Sequence, residues 1–278
     1  MKTVAFAVTP AEAGQALQNV LAARLDLSRN RAKALLDSRA VLVNRRPVWM
    51  ARHAVSRSDV VEVAAAATDA ASDAHEIPVL VEERDYLVAN KPAGMLANGN
   101  DSAESALRNS RNEPALRAVH RLDADTTGCL LLARSDAAFD AAVQRFRERA
   151  VEKVYRAIVA DHVQEREREI AFPLEGRTAV TTIRVLATTR EATYLDVSIA
   201  TGRTHQIRRH LSMIGHPVLG DRQYTARRAL SDRELAVPRQ MLHAWSLVFP
   251  HPADGRPIRA EAPLPGDFRV CLSRFRLA

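Results

Sequence analysis

Aromatic residues make up only 5% of this chain, so its interior has to be built from leucine, valine, isoleucine and alanine. Cysteine is scarcer still. Cys129 and Cys271 are the only two and form no CxxC pair, which excludes a disulfide-stapled fold and a cysteine-based metal site. Both lie in apolar surroundings and read as core thiols, which fits a reducing compartment. No window approaches the roughly 18 apolar residues of a membrane-spanning helix. Met1 to Pro10 lacks the charged start and apolar run of a secretion signal. The expected location is the cytoplasm, with no membrane partner. The ten glycines make neither a P-loop nor a GxGxxG turn, so no glycine-cradled nucleotide is expected. The nine histidines show no HExxH or Cys/His spacing, so no metal is expected.

What the chain does have is positive charge. The formal net charge is +7 and the pI about 10.0, which favours a polyanionic partner, nucleic acid before anionic membrane. The excess is uneven. Met1 to Val63 holds ten Lys/Arg against five Asp/Glu. Beyond it, Ala64 to Ala74 reads AAAATDAASDA, with no large apolar residue and so no face to bury. We read three parts: a small basic unit over 1–63, a linker over 64–76 and a large unit over 77–278. The linker predicts a mobile N-terminal unit until a partner binds.

Helical spacing in the small unit is seen at Ala16, Leu17, Val20 and Leu21, and again at Ala32, Leu35 and Leu36. Ser28 is a plausible N-cap for the second helix. Val41 to Val48 reads as a hairpin-like return, and Asp59 to Val63 as a further strand. Arg29, Arg31 and Lys33 cluster at one helix start, and Arg45 and Arg46 in the turn. Such clusters suit phosphates, since each contact releases counterions. The segment Ser28 to Leu36 and the strand-turn Val41 to Asn44 resemble an S4 RNA-binding domain, which implies that these five residues contact RNA.

The large unit alternates β-rich runs with turn signals, as at Tyr86 to Asn90, Cys129 to Arg134, Tyr155 to Ala160, Thr181 to Leu186 and Tyr194 to Ala200. One amphipathic helix is expected over Asp136 to Glu148. Many strands and few helices imply an α+β fold with a mixed, mostly antiparallel sheet. His120 to Ala133 reads HRLDADTTGCLLLA. It resembles the HRLDxxTSGLLLLA block of RluA-like pseudouridine synthases, with Thr127 where a serine is usual. Three more blocks resemble that family: Asn90 to Gly94 (NKPAG), Glu152 to Ala157 (EKVYRA) and Thr201 to Arg208 (TGRTHQIR). Gly215 to Asp221 and Leu242 to Ala244 match later blocks. The family's VHP after NKPxG is absent, since Ala97, Asn98 and Gly99 stand there.

The resemblance implies an isomerase of RNA uridines with a central cleft, needing no metal, redox cofactor or phosphoryl donor. It implies Asp123 as the nucleophile. Burial would raise the pKa of that carboxyl, and a nearby arginine would keep it ionised. Arg203 is the expected partner, through a pair that can be bidentate. Tyr155 is expected to stack on the base and to take part in removing a proton. Arg121 is expected in base flipping and RNA contact. Arg208 is expected either to bind phosphate or to buttress the sheet, the NKPAG turn reads as architecture that also offers Lys91 to a phosphate, and His120 is expected to make a structural hydrogen bond. Two alternatives stay open: an inactive RNA-binding protein on the same scaffold, and a hydrolase using Asp123 with Asp125 as a carboxylate pair. Intact Asp123, Tyr155 and Arg203 argue against the first. Large-subunit ribosomal RNA is the expected substrate, with transfer RNA open, and a monomer the expected state.

Overall fold

A computed structural model describes residues 3–27, 32–33, 35–36, 40–64, 77–225 and 230–278. The chain divides into two compact units, 1–76 and 77–278. Among the described residues no helix is long and apolar enough to cross a membrane.

In the first unit, strands β1 (Thr3–Ala7), β2 (Val41–Val43), β3 (Arg46–Pro47) and β4 (Val60–Ala64) form an antiparallel sheet in the order β1-β4-β2-β3. Helix α1 (Leu17–Arg24) buries Leu17, Val20 and Leu21 in one cluster with Leu36, Val41, Val61 and Val63. The hairpin joining β2 to β3 turns at Asn44 (φ 50°) and Arg45 (φ 63°), the left-handed pair of a two-residue loop. Asn44 fixes it, since Oδ1 accepts from the Val60 N–H at 2.9 Å and Nδ2 donates to Asp59 at 2.8 Å. Lys33, Arg45 and Arg46 are exposed. Ser28, Arg29, Arg31 and most of the expected linker (65–76) lie outside the described residues.

The second unit carries one sheet of ten described strands. They are β5 (Val79–Glu82), β6 (Tyr86–Lys91), β7 (Arg117–Ala118), β8 (Thr127–Ala133), β9 (Glu152–Ala160), β10 (Glu167–Ile170), β11 (Thr181–Thr188), β12 (Ala192–Ile199), β13 (Leu242–Pro250) and β14 (Pro257–Glu261). The order is β10-β11-β12-β9-β13-β8-β6-β5, with β14 on β13 and β7 on β8. All pairings are antiparallel except that of β13 with β8. Helices α2 (Ala103–Arg111), α3 (Asp136–Arg147), α4 (Gln206–Met213), α5 (Asp232–Leu235) and α6 (Gly266–Arg274) complete the unit, an α+β fold with a mixed sheet, as expected.

β8 organises the packing. Its seven residues are all buried, and alternation sends them to two cores. Leu130 and Leu132 join a cluster with Tyr155, Ala157 and Leu195. Cys129, Leu131 and Ala133 join another with Ala138 and Ala142 of α3 and Phe249 of β13. α3 starts where Ser135 Oγ accepts from the Ala138 N–H at 3.2 Å, and it follows β8 directly.

The parallel contact sits at Gly128 and Ala244. Gly128 has φ +110°, and a Cβ there would lie 2.2 Å from the Ala244 carbonyl oxygen. Only glycine satisfies both constraints. Gly128→Ala should destabilise the unit by at least about 2 kcal/mol in denaturant unfolding; an unchanged midpoint would refute this close-approach role.

Candidate active site

Asp123 lies in the loop between β7 and β8, and each of the four residues after it is held by a buried polar side chain. Lys91 Nζ donates to the Ala124 carbonyl at 2.8 Å, and also to those of Pro92 (2.8 Å) and Met95 (2.6 Å). Arg239 Nη1 donates to the Asp125 carbonyl at 2.9 Å, while its Nε and Nη2 grip Asp267 at 2.7 and 2.9 Å. Gln240 Nε2 donates to Thr126 Oγ1 at 2.9 Å. Thr127 Oγ1 lies 2.7 Å from His243 Nδ1, whose Nε2 lies 3.1 Å from the Ala262 carbonyl. A carbonyl only accepts, so His243 carries its proton on Nε2 and the threonine donates to Nδ1. Lys91, Thr126, Thr127, Arg239, Gln240 and His243 are all buried, so water does not compete for these bonds.

The cation that meets Asp123 is Arg208, not Arg203. Arg208 Nη1 donates to Asp123 Oδ2 at 2.9 Å, while Nε and Nη2 grip Asp221 at 2.6 and 3.0 Å. The reason lies in the turn between them. His205 has φ 52° and caps α4, so the chain changes direction there and Arg208 enters the core from the helix. Arg203 stays outside, its Nε donating to the Thr178 carbonyl at 3.2 Å. Its backbone N–H is held by Gln206 Oε1 at 3.0 Å. Burial opposes ionisation of Asp221, but donors from Arg208, Gln223 and Tyr224 outweigh it and hold the pKa below the ordinary carboxylate value. Burial likewise opposes the Arg208 charge, and the two carboxylates restore it. Arg208 is therefore a buried bridge between Asp221 and Asp123 rather than a phosphate contact. Lys91 needs the same correction: it is fully buried, because its three donors are taken by carbonyls around the loop.

Asp123 remains reachable, with its side chain 21% exposed. It opens into a cleft of about 410 Å³. Tyr155 lines the same cleft. Sheet register puts it there, since Tyr155 pairs with Ala244, which pairs with Gly128. Burial, and then the Asp123 charge, push the Tyr155 phenol well above its ordinary pKa. His205 Nε2 stands 3.7 Å from Asp123 Oδ1, and its Nδ1 is 3.0 Å from the Tyr224 hydroxyl. His120 accepts from the Leu131 N–H at 3.0 Å and stacks on Phe146 at 5.3 Å. Burial, reinforced by Lys153, takes its pKa down to about 3, so it is neutral.

Arg121, Arg147, Lys153 and Arg203 also line the cleft, and among the described residues Asp123 is its only carboxylate. Asp125 does not face it, which removes the carboxylate-pair hydrolase from consideration. The cleft thus combines a single carboxylate with several cations.

The RNA pseudouridylate synthase family model matches residues 85–213, which contain all three of these elements, Asp123, Tyr155 and Arg208. Ribosomal large subunit pseudouridine synthase D of Nitrosomonas europaea is 32% identical over 305 residues, covering 99% of this chain and 88% of that protein. The chain belongs to the RNA pseudouridylate synthase family. It is thereby an isomerase. Ribosomal large subunit pseudouridine synthase C of Vibrio cholerae is 30% identical, with 96% of this chain and 95% of that protein covered. The solved structure of human RNA pseudouridylate synthase domain containing 1 superposes with a TM-score of 0.60 at 29% identity, over 70% of this chain and 87% of that one.

Sequence reading of this family member missed Arg239, Gln240 and Asp221 as loop and arginine supports, and Arg147 and Lys153 as cleft residues. Asp221 and His243 fell in later blocks to which no site role was assigned. A signal existed in Arg239-Gln240, two polar residues entering a buried strand.

Two outcomes follow from these contacts. Burial lowers the His243 pKa to about 4 and that of His120 to about 3. Between roughly pH 6.5 and 4 the unfolded chain therefore binds protons that the folded chain does not, and stability falls as pH falls. His243→Asn should flatten this acid limb, measured as unfolding free energy against pH; an unaltered slope would refute the neutral buried histidine. Lys91→Met should lower turnover at saturating RNA by about tenfold or more, by loosening the loop. The slope of log affinity on log salt should stay unchanged, whereas loss of a phosphate contact would reduce it by about 1.

Proposed function

We propose that this chain converts specific uridines of large-subunit ribosomal RNA to pseudouridine, with Asp123 as the nucleophile. The observation that carries the reading is a single reachable carboxylate, held by buried Arg208, in a cation-rimmed cleft beside Tyr155. The names of the relatives from Nitrosomonas europaea and Vibrio cholerae support the choice of RNA.

The steps conserve atoms. The Asp123 carboxylate bonds to C1′ of the ribose, and the N1–C1′ pair leaves with the uracil. The base turns within the cleft, C5 bonds to C1′ and the carboxylate is released. C5 then loses its proton and N1 gains one. Arg208 suits this role because it keeps Asp221 as a partner while Asp123 is esterified, so no buried cation is stranded. Tyr155 starts as a neutral phenol. Its ring stacks on the detached uracil, and its hydroxyl takes part in removing the C5 proton once Asp123 is released.

Arg121 and Arg203, on the cleft wall, contact RNA around the target. The small N-terminal unit serves as an S4-like RNA-binding extension through Arg29, Arg31, Lys33, Arg45 and Arg46. It acts in the cytoplasm as a monomer.

The test is tritium release from RNA labelled at uridine C5, on large-subunit ribosomal and transfer RNA transcripts. Wild type should release tritium from ribosomal RNA, and Asp123→Asn should lose at least about four orders of magnitude in rate while still binding. Equal release by the two proteins would overturn the assignment of the nucleophile, and release from transfer RNA alone would overturn that of the substrate.

A further inference from the structure

Lys153 is the cleft residue whose surroundings do not explain it. It lies on β9 two residues before Tyr155, so both side chains leave the same face of the strand, and both line the cleft. Its Nζ stands 5.3 Å from the centroid of the Phe146 ring. Phe146 stacks on His120 at 5.3 Å, and His120 is bonded to the β8 backbone. The lysine stem therefore rests on a ladder built up from the central strand. The bottom rung is neutral and does not repel it.

This ammonium is half-buried and has no carboxylate partner among the described residues. Desolvation alone depresses its pKa. Three buried or half-buried arginines of this unit are paired, Arg156 with Asp196, Arg208 with two carboxylates and Arg239 with Asp267, and buried Lys91 spends its donors on three carbonyls. A partly desolvated cation without an anion is costly, and a ligand anion is the natural compensation. Arg147, at the C-terminal end of α3, also lines this part of the cleft and also has no ion-pair partner among the described residues.

We propose that Lys153, assisted by Arg147, binds the backbone phosphate of the nucleotide whose base lies against Tyr155. The inference rests on the reading of the cleft as the uridine site. Since Lys153 lies inside the cleft beside Tyr155, its contact forms only once the nucleotide has left its stack. Its energy favours the extruded state over encounter, so its loss lowers the rate at saturating RNA more than it lowers affinity.

The test has two arms on the full chain. In the first, uridine 3′,5′-bisphosphate and uridine are titrated by calorimetry into wild type, Lys153→Met and Lys153→Arg. Wild type should prefer the bisphosphate by about tenfold or more, the scale of one charge-assisted contact. Lys153→Met, which keeps the stem on Phe146, should lose most of that preference, and Lys153→Arg should retain it. An equal preference in wild type and Lys153→Met, or none in wild type, would overturn the site. In the second arm, single-turnover tritium release is followed on the ribosomal transcript. Lys153→Met should be at least about tenfold slower with affinity changed less than about twofold. Wild-type rates in that variant would refute the phosphate role while leaving the isomerase reading intact. Absence of release from wild type would overturn the ribosomal substrate, and the titrations would still decide the anion site.

Discussion

The carboxylate proposed as the nucleophile has to be held still and yet stay within reach of a substrate, and these demands conflict, because the packing that immobilises a side chain also covers it. Arg208 resolves the conflict by being shared. Its bidentate grip on fully buried Asp221 fixes the guanidinium, leaving one Nη1 hydrogen bond for Asp123. Asp123 is thus held by a cation that does not depend on it for its own place. The left-handed turn at His205, the short α4 and the Asp221 loop, where two backbone N–H groups also bond the carboxylate, serve this arrangement.

The loop is governed in the same way from the other side. Lys91, Arg239, Gln240 and His243 reach it from β6 and from the chain entering β13. The strand register then fixes Tyr155 relative to the loop through Gly128 and Ala244. Each of these polar groups is buried, and each would be costly if unpaired. The site is rigid because its second layer is as fully bonded as a secondary-structure ladder.

Much of the fold was legible from local pattern. The apolar runs at Tyr86, Cys129, Tyr155, Thr181 and Tyr194 are strands, and α3 ends one residue from its expected boundary. α2 and α6 were not recognised. α2 buries only Ala103 and Leu107 and owes its start to the Ser102–Ser105 capping box, a weak signal beside hydrophobic spacing. Within the site, Asp123 and Tyr155 were legible from their blocks. The choice between Arg203 and Arg208 was not, since both lie in one motif and a single positive φ at His205 separates their paths. Arg239 and Lys153 depend on which groups the sheet brings opposite them, which linear spacing does not contain.

The parallel pairing of β13 with β8 also bears on how this molecule comes into being. His243 and Gln240 meet Thr127 and Thr126 across 116 and 114 residues, and Arg239 is itself anchored on Asp267. Closing such long loops costs chain entropy before any contact rewards it. The loop that carries Asp123 therefore reaches its final shape only once the segment from Arg239 to Asp267 is in place. A nascent chain that already displays Asp123 lacks the strand and helix that hold its loop, so the proposed chemistry waits for β13 and α6.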